Sequence, residues 1–294
     1  NNIEDYVEWA FLRYQASRNI AFRLGRTSTD LYLLSEYTPV GYAYTWARPP
    51  TEHYSHLGSF SYIDGVDASY SNNIHDGFLD LRLGYGSSTV KIEAQNGEPL
   101  EFKLNDTLSM SGLYSTNFWK IKLAAAFTKP SGFNNEGQQL LINGLNSIPS
   151  ALWPQAAGLA EQFAFSDKEI RYYAAGYEIE IDQVTLTTEF AYTDPNWETY
   201  PDYASGYLSL AYRLNEVTLF GVYSKVKNTD DKISVTAPTS NPLLPEATQT
   251  QLEQLWQGAN YNINYRTIDQ DTISVGVRWD LYSQLALKAQ YDYT

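Results

Sequence analysis

The sequence predicts an all-β protein, an antiparallel transmembrane β-barrel with about 12 strands visible, short periplasmic turns and long extracellular loops. Three observations carry this. Apolar and polar residues alternate with period two through most of the chain, and the apolar set keeps its side across each tight turn. The runs last roughly 10 residues, against about 5–6 in ordinary sheets and about 9–11 for strands that cross a membrane. The links also alternate. Short ones fall at 18–19, 72–76, 116–117, 182–183, 215–216 and 282–284, and long ones at 27–58, 87–101, 129–167, 195–202 and 229–267.

Taken in order, the first two hairpins, 6–17 with 20–26 and 59–71 with 77–86, are the least regular. In the third, Leu108, Met110 and Tyr114 continue across Thr116-Asn117 into Trp119, Ile121, Leu123 and Phe127. The fourth is the clearest. Tyr173, Ala175, Tyr177, Ile179 and Ile181 share one face, and Val184, Leu186, Phe190 and Tyr192 share it after Asp182-Gln183. A two-residue turn pairs Ile181 with Val184 and so keeps both apolar sets on one side. The fifth runs Leu208, Leu210, Tyr212, Leu214 into Val217, Leu219 and Tyr223. The sixth runs Ile273, Val275, Val277, Trp279, Leu281 into Leu285, Leu287, Tyr291 and Tyr293. Aromatics such as Tyr114, Trp119, Tyr192, Tyr212 and Trp279 lie towards the strand ends, as interfacial girdles do. Helical spacing over 138–148, 151–165 and 247–257 predicts packing struts inside two of the long loops.

Composition narrows the function. There are 34 acidic and 20 basic residues, a net charge of -14, so a nucleic-acid binder is excluded on charge. Cysteine is absent, which removes disulfides, thiolate metal sites and a cysteine nucleophile. No apolar stretch approaches the ~18 residues of a transmembrane helix. The chain starts at Asn1 with no initiator Met, as a mature or trimmed chain does. No GxSxG, GxxxxGK[ST] or GxGxxG occurs, so no covalent chemistry, cofactor or metal is expected. His53, His56 and His75 read as polar loop histidines.

The stretch AFRLGRTSTDLYLLSEYTPVGYAYTWARPP, followed by SYIDGVDASYS, resembles bacterial outer-membrane porins of the general, proteobacterial type. In that family a strand ending in Gly-Arg, here Gly25-Arg26, precedes a loop that folds into the lumen and narrows it. A strand with an acidic-Gly pattern returns after it, here Asp64-Gly65 with Asp67. The resemblance implies one barrel domain over 1–294 with 27–58 as the constriction loop, in the outer membrane of a Gram-negative bacterium. It implies a water-filled channel for passive diffusion of small hydrophilic solutes and ions, surrounded by outer-membrane lipid, and a homotrimer. Turn lengths put both visible termini outside, whereas the family begins and ends in the periplasm. Matching the infolded loop to the family's order then implies three strands before Asn1, at least one after Thr294, and about 16 in all.

By parity Arg23, Asp80, Arg82, Lys120, Lys122, Glu178, Glu180, Glu189, Arg213, Arg278, Asp280 and Lys288 face inward. A Lys or Arg on a lipid face at the membrane midplane costs about 2–4 kcal/mol, and little in a wet lumen. The pore-lining set expected is Arg23, Arg26, Asp30, Glu36, Asp64, Arg82, Lys120, Lys122, Arg213 and Arg278. Basic wall residues would face acidic groups of the loop, Asp30, Glu36 and Glu52, across a transverse field that favours polar solutes. Three alternatives stand beside this reading. One is a selective sugar or oligosaccharide channel that stacks substrate on Tyr42, Tyr44 and Trp46. The second is a soluble β-sandwich binding module. The third is a barrel phospholipase, whose His-x-Ser the triplet His53-Tyr54-Ser55 resembles.

Overall fold

A computed structural model describes residues 7–35, 37–38, 40–55, 62–93, 99–132, 136–164, 168–196, 200–230, 234–239, 242–264 and 267–294. Twelve strands form one antiparallel sheet among them, each paired to its neighbours in chain order. They are β1 (Ala10–Gln15), β2 (Ile20–Ser28), β3 (Tyr62–Ile74), β4 (Gly77–Glu93), β5 (Pro99–Ser115), β6 (Trp119–Ser131), β7 (Ile170–Ile181), β8 (Val184–Asp194), β9 (Tyr203–Leu214), β10 (Val217–Asn228), β11 (Asp269–Tyr282) and β12 (Leu285–Tyr293). The sheet is not closed: β1 and β12 are its edges. The twelve-strand meander is therefore as expected, while a sixteen-strand barrel is not seen. The single sheet also departs from a sandwich, which needs two packed sheets.

Three links are shorter than the alternation suggested, the last being 282–284, which contracts to Ser283-Gln284. The 72–76 turn contracts to His75-Asp76, because β3 runs on to Ile74 and His75 takes a left-handed φ of 54°. The expected 87–101 loop is mostly strand. The register shifts at Gly86/Ser88 on β4 and at Asn105/Leu108 on β5, with Asp106 at φ 48°. Such bulges reset which residues face inward. Leu104 is buried beyond the β5 bulge, out of step with Thr107 and Ser109, while Val90 on β4 keeps the inward parity of Gly84 and Ser88 but is apolar, and that is why period two stopped there.

The two faces separate by parity. Leu123, Leu210 and Val275 are 54–58% exposed on the apolar face, while Lys122, Glu189 and Ser209 are 2–5% exposed on the other. At the short-turn end the apolar face closes on stacked aromatics, Tyr114 on Trp119 (5.4 Å) and Trp119 by Tyr177 (6.5 Å). At the long-loop end it closes on ion pairs: Arg26–Asp64, Lys129–Asp106, Arg171–Asp194 and Lys225–Asp269. Between these limits Ile273 to Leu281 is a run of about 27 Å at ~3.4 Å per residue. Tilted by about 40°, that gives ~20 Å of depth, near the ~25 Å apolar band of a membrane barrel. No helix among the described residues is long and apolar enough to cross a membrane, which says nothing of strands.

The long loops carry helices. The described part of the 27–58 loop has a 3₁₀ turn, Gly41–Ala43, and one short helix, α1 (Thr51–Tyr54). The others are α2 (Glu136–Asn146), α3 (Ala156–Phe163) and α4 (Glu246–Asn264). Where 151–165 was expected to be helical, α3 starts at Ala156, just past Pro154. α4 runs past 257 because Leu252, Ala259 and Ile263 keep one buried stripe. These three helices pack on one another around Leu145, Trp153 and Ala156, with a core of their own.

The face assignment has a direct check. Single cysteines replacing Lys120 or Arg213 should react with a water-soluble maleimide, and those replacing Leu123, Leu186, Leu210 or Val275 should not. A cysteine at Lys122 should also be protected, since that side chain is 6% exposed beneath Asp30. Equal labelling on both faces would overturn the register.

Candidate functional site

The described residues of the loop, 29–35, 37–38 and 40–55, lie across the inner face from β5 to β12, and among the places that hold them are three anchors. The first is Glu189 on β8. Its carboxylate accepts the Leu33 N–H (2.8 Å), the Tyr207 hydroxyl (2.7 Å) and the Tyr54 hydroxyl, so one side chain staples both arms of the loop. The second is Glu52, on the loop itself. It accepts hydrogen bonds from Ser224 (2.6 Å) on β10 and from Gln270 (2.7 Å) and Thr272 on β11. The third is the pair Arg278 and Lys288, which donate to loop carbonyls. Between the anchors, Leu31, Tyr32, Trp46 and Tyr54 pack on Ala124, Tyr172, Tyr207, Phe220 and Val222 in a dry core. Charged groups buried this deeply persist only when hydrogen-bonded or paired, and these are.

The charges are paired locally rather than opposed across open water. Arg23 grips Asp67 through Nε at 2.8 and 2.9 Å. Arg82 lies 3.8 Å from Asp80, and Lys120 bonds Glu178 at 2.9 Å. Lys122 bonds Asp30, which also accepts from Ser111 (2.7 Å). Burial tends to raise the Asp30 carboxyl, but Lys122 and Arg82, with the Lys122 and Ser111 hydrogen bonds, hold it below the ordinary carboxylate range. Burial likewise tends to raise Glu52, and the bonds from Ser224, Thr272 and Gln270 outweigh it and lower the carboxyl.

The expected pore-lining set divides. Arg23, Arg82, Lys120, Lys122, Arg213 and Arg278 lie on the inner face, Arg213 exposed near the short turns. Arg26 and Asp64 do not join them. They share the parity of exposed Leu24 and Val66, and Arg26 stacks on the Tyr62 ring (4.0 Å) while gripping Asp64 at 2.8 Å. A Gly-Arg motif placed them inward, and the two-residue period places them outward. Asp30 is brought to the wall. Glu36 lies outside the described residues. Glu52 meets hydroxyls and an amide, not the basic residues expected.

His53, expected as a polar loop residue, is 2% exposed and ringed by Tyr32, Tyr54 and Tyr207. Its Nδ1 lies 3.2 Å from Ser205 Oγ and its Nε2 3.7 Å from Glu189. The order serine–histidine–carboxylate is that of a hydrolase relay, but all three are buried under the loop and leave a substrate no approach. Ser55 turns its hydroxyl to the Thr51 carbonyl, so the His53-Tyr54-Ser55 triplet does not act as a pair. Trp46 is buried and bonds Ser209 (2.8 Å), so it offers no stacking surface to a sugar. His56 lies outside the described residues.

An open antiparallel meander with an apolar outer face and a loop strapped over its inner face is a porin-like fold. Comparison with solved structures agrees. The chain is similar over 97% of its length to Salmonella typhi OmpF in complex with daunomycin, at 11% identity, covering 81% of that chain with a TM-score of 0.50. A double variant of OccD1 (OprD) aligns over 93% of this chain and 69% of its own, at 7% identity and a TM-score of 0.33. No family model and no curated protein matches the sequence.

Proposed function

We propose that the chain forms the wall and constriction of an outer-membrane diffusion channel for small hydrophilic solutes and ions. One observation carries this: the 27–58 loop is fastened to the polar inner face while the opposite face is apolar and uncovered. In this reading the sheet is part of a closed barrel of about 16 strands, a homotrimer in a Gram-negative outer membrane. The domain spans 1–294, with 27–58 setting the bore. Arg23, Arg82, Lys120, Lys122, Arg213 and Arg278 belong to the inner wall and Asp30 to the loop that narrows it. Arg26 and Asp64 move to the membrane-facing rim. Solutes are sorted by size at the loop and weakly by charge, because most wall charges are already paired.

Single-channel recording in a planar bilayer tests this, with reversal potential under a salt gradient. We expect a stable open pore with weak cation preference that fades as salt rises, because the net charge of -14 enriches cations at the mouth and screening shortens that reach. Neutralising Lys120 and Lys122 together should strengthen the preference, since each change leaves a carboxylate, Glu178 or Asp30, without its cation. A strongly anion-selective pore would overturn the charge assignment, and no conductance at all would overturn the channel.

A further inference from the structure

The tip of the strapped loop depends on two cations that solute sieving by itself does not require. Arg278 on β11 and Lys288 on β12 are direct register partners. Like charges opposite one another destabilise a sheet. Here the loop offsets that cost. Lys288 donates to the carbonyls of Gly41 (2.6 Å), Trp46 (2.8 Å) and Tyr44, and its Nζ lies over the Tyr44 ring at 4.5 Å. Arg278 donates to the carbonyls of Tyr42 and Tyr44, each at 3.0 Å, lies over the Tyr42 ring at 4.8 Å, and holds Asp280 at 2.8 Å with its other edge. Four backbone carbonyls thus converge on one pair of side chains.

The base of the loop is fixed differently. It buries Leu31, Tyr32 and Tyr54 and is tied at Glu189 and Glu52. The tip buries little before Trp46, where the core resumes: Val40 and Tyr42 are more than 40% exposed and Trp46 is 3% exposed. A segment with few buried apolar contacts and solvent-facing bonds opens at low free energy, independently of a packed base. We propose that Arg278 and Lys288 are positioning residues that latch residues 41–44 to the β11–β12 wall and so set the width of the passage, and that this tip detaches as a unit while the base, with Trp46, stays docked. The passage is the channel proposed above, and on that reading the latch controls its bore.

The test uses the full chain, whose lack of cysteine permits single labels. A nitroxide at Ala43→Cys reports the tip, and one at Ser55→Cys reports the base. In the parent both spectra should be immobilised. Adding Lys288→Met should give a mobile spectrum at 43 and leave 55 unchanged, and Lys288→Arg should restore the tip. In recordings, Lys288→Met should raise open-channel noise and mean conductance above the parent, beyond any shift in reversal potential. A spectrum at 43 that stays immobile overturns the latch, as does one in which 43 and 55 loosen together. So does a variant in which only the reversal potential moves, because the cation then acts on ions and not on the loop. If Lys288→Met does not assemble, Lys288→Gln carries the same readouts. A silent parent bilayer tells against the channel reading, while the label spectra still decide the latch.

Discussion

Glu189→Ala should produce a several-fold rise in conductance with the strands still assembled. This carboxylate is 3% exposed and accepts from Leu33, Tyr54 and Tyr207, with His53 Nε2 at 3.7 Å. Alanine leaves the Leu33 N–H and one of the two tyrosine hydroxyls, which lie 3.4 Å apart and can bond each other once, without an acceptor, each costing about 1–3 kcal/mol. The strands need not absorb this cost, because the loop can lift and hydrate the freed groups. Each 1.4 kcal/mol lowers the docked population relative to the lifted one about tenfold, so the loop spends most of its time away from the wall. Glu189→Gln keeps one carbonyl acceptor and should fall between. Glu178→Ala is the control: it is a glutamate on the same face, but paired to Lys120 at a site one-third exposed, so the loop should not move. Gly176 gives a second route to the same contact. A Cβ added there would stand 2.7 Å from Leu33 Cγ, so Gly176→Val should also push the loop off the wall. Heat-modifiable migration on a gel reports assembly, and conductance reports the loop. Parent-like conductance in a folded Glu189→Ala protein would show that the loop is held without this staple.

The strands were legible because their chemistry repeats locally. Ile181 and Val184 pair across Asp182-Gln183, and the period alone puts Leu186 and Leu210, which are register partners, on one face. The bulge near Asp106 on β5 was not legible, because one extra residue shifts the phase without a glycine or proline to mark it. The site was less legible still. Glu178, Glu180 and Glu189 look alike in the sequence, all inward by parity, yet only Glu189 meets Leu33, which is 156 positions away. Glu52 and His53 sit in a polar stretch that reads as solvent-exposed. Their burial follows from long-range partners, Ser224 and Thr272 for one and Ser205 for the other. The one local clue was the load of Leu and aromatic residues in 31–46, which marked the loop as a packed segment without saying on which strands it lands. Arg26 shows the reverse error, in which a short motif outweighed a parity that Phe22 and Leu24 had already set.

Acid should unfasten the loop only at low pH, and the sign can be worked out from Asp30 and Glu52. Both carboxyls are held below their ordinary values of 3.8 and 4.5, because the hydrogen bonds they receive, and for Asp30 the cations beside it, outweigh burial. A carboxyl with a depressed folded value binds fewer protons folded than unfolded, so it contributes stability that is complete above the unfolded value and is lost as pH falls through the folded one. The docked loop is therefore indifferent to these two groups from pH 8 down to about 5, and begins to weaken below about 4. Protonating Asp30 leaves the buried Lys122 ammonium facing a neutral acid and Ser111, which disfavours the docked loop. Conductance should be flat over the upper range and rise below it. Asp30→Asn with Glu52→Gln should shift the parent towards its low-pH behaviour at neutral pH, since an amide keeps an acceptor but gives up the charge. A transition in the upper range, or none on acidification, would mean that Asp30 and Glu52 do not govern the docking of the loop.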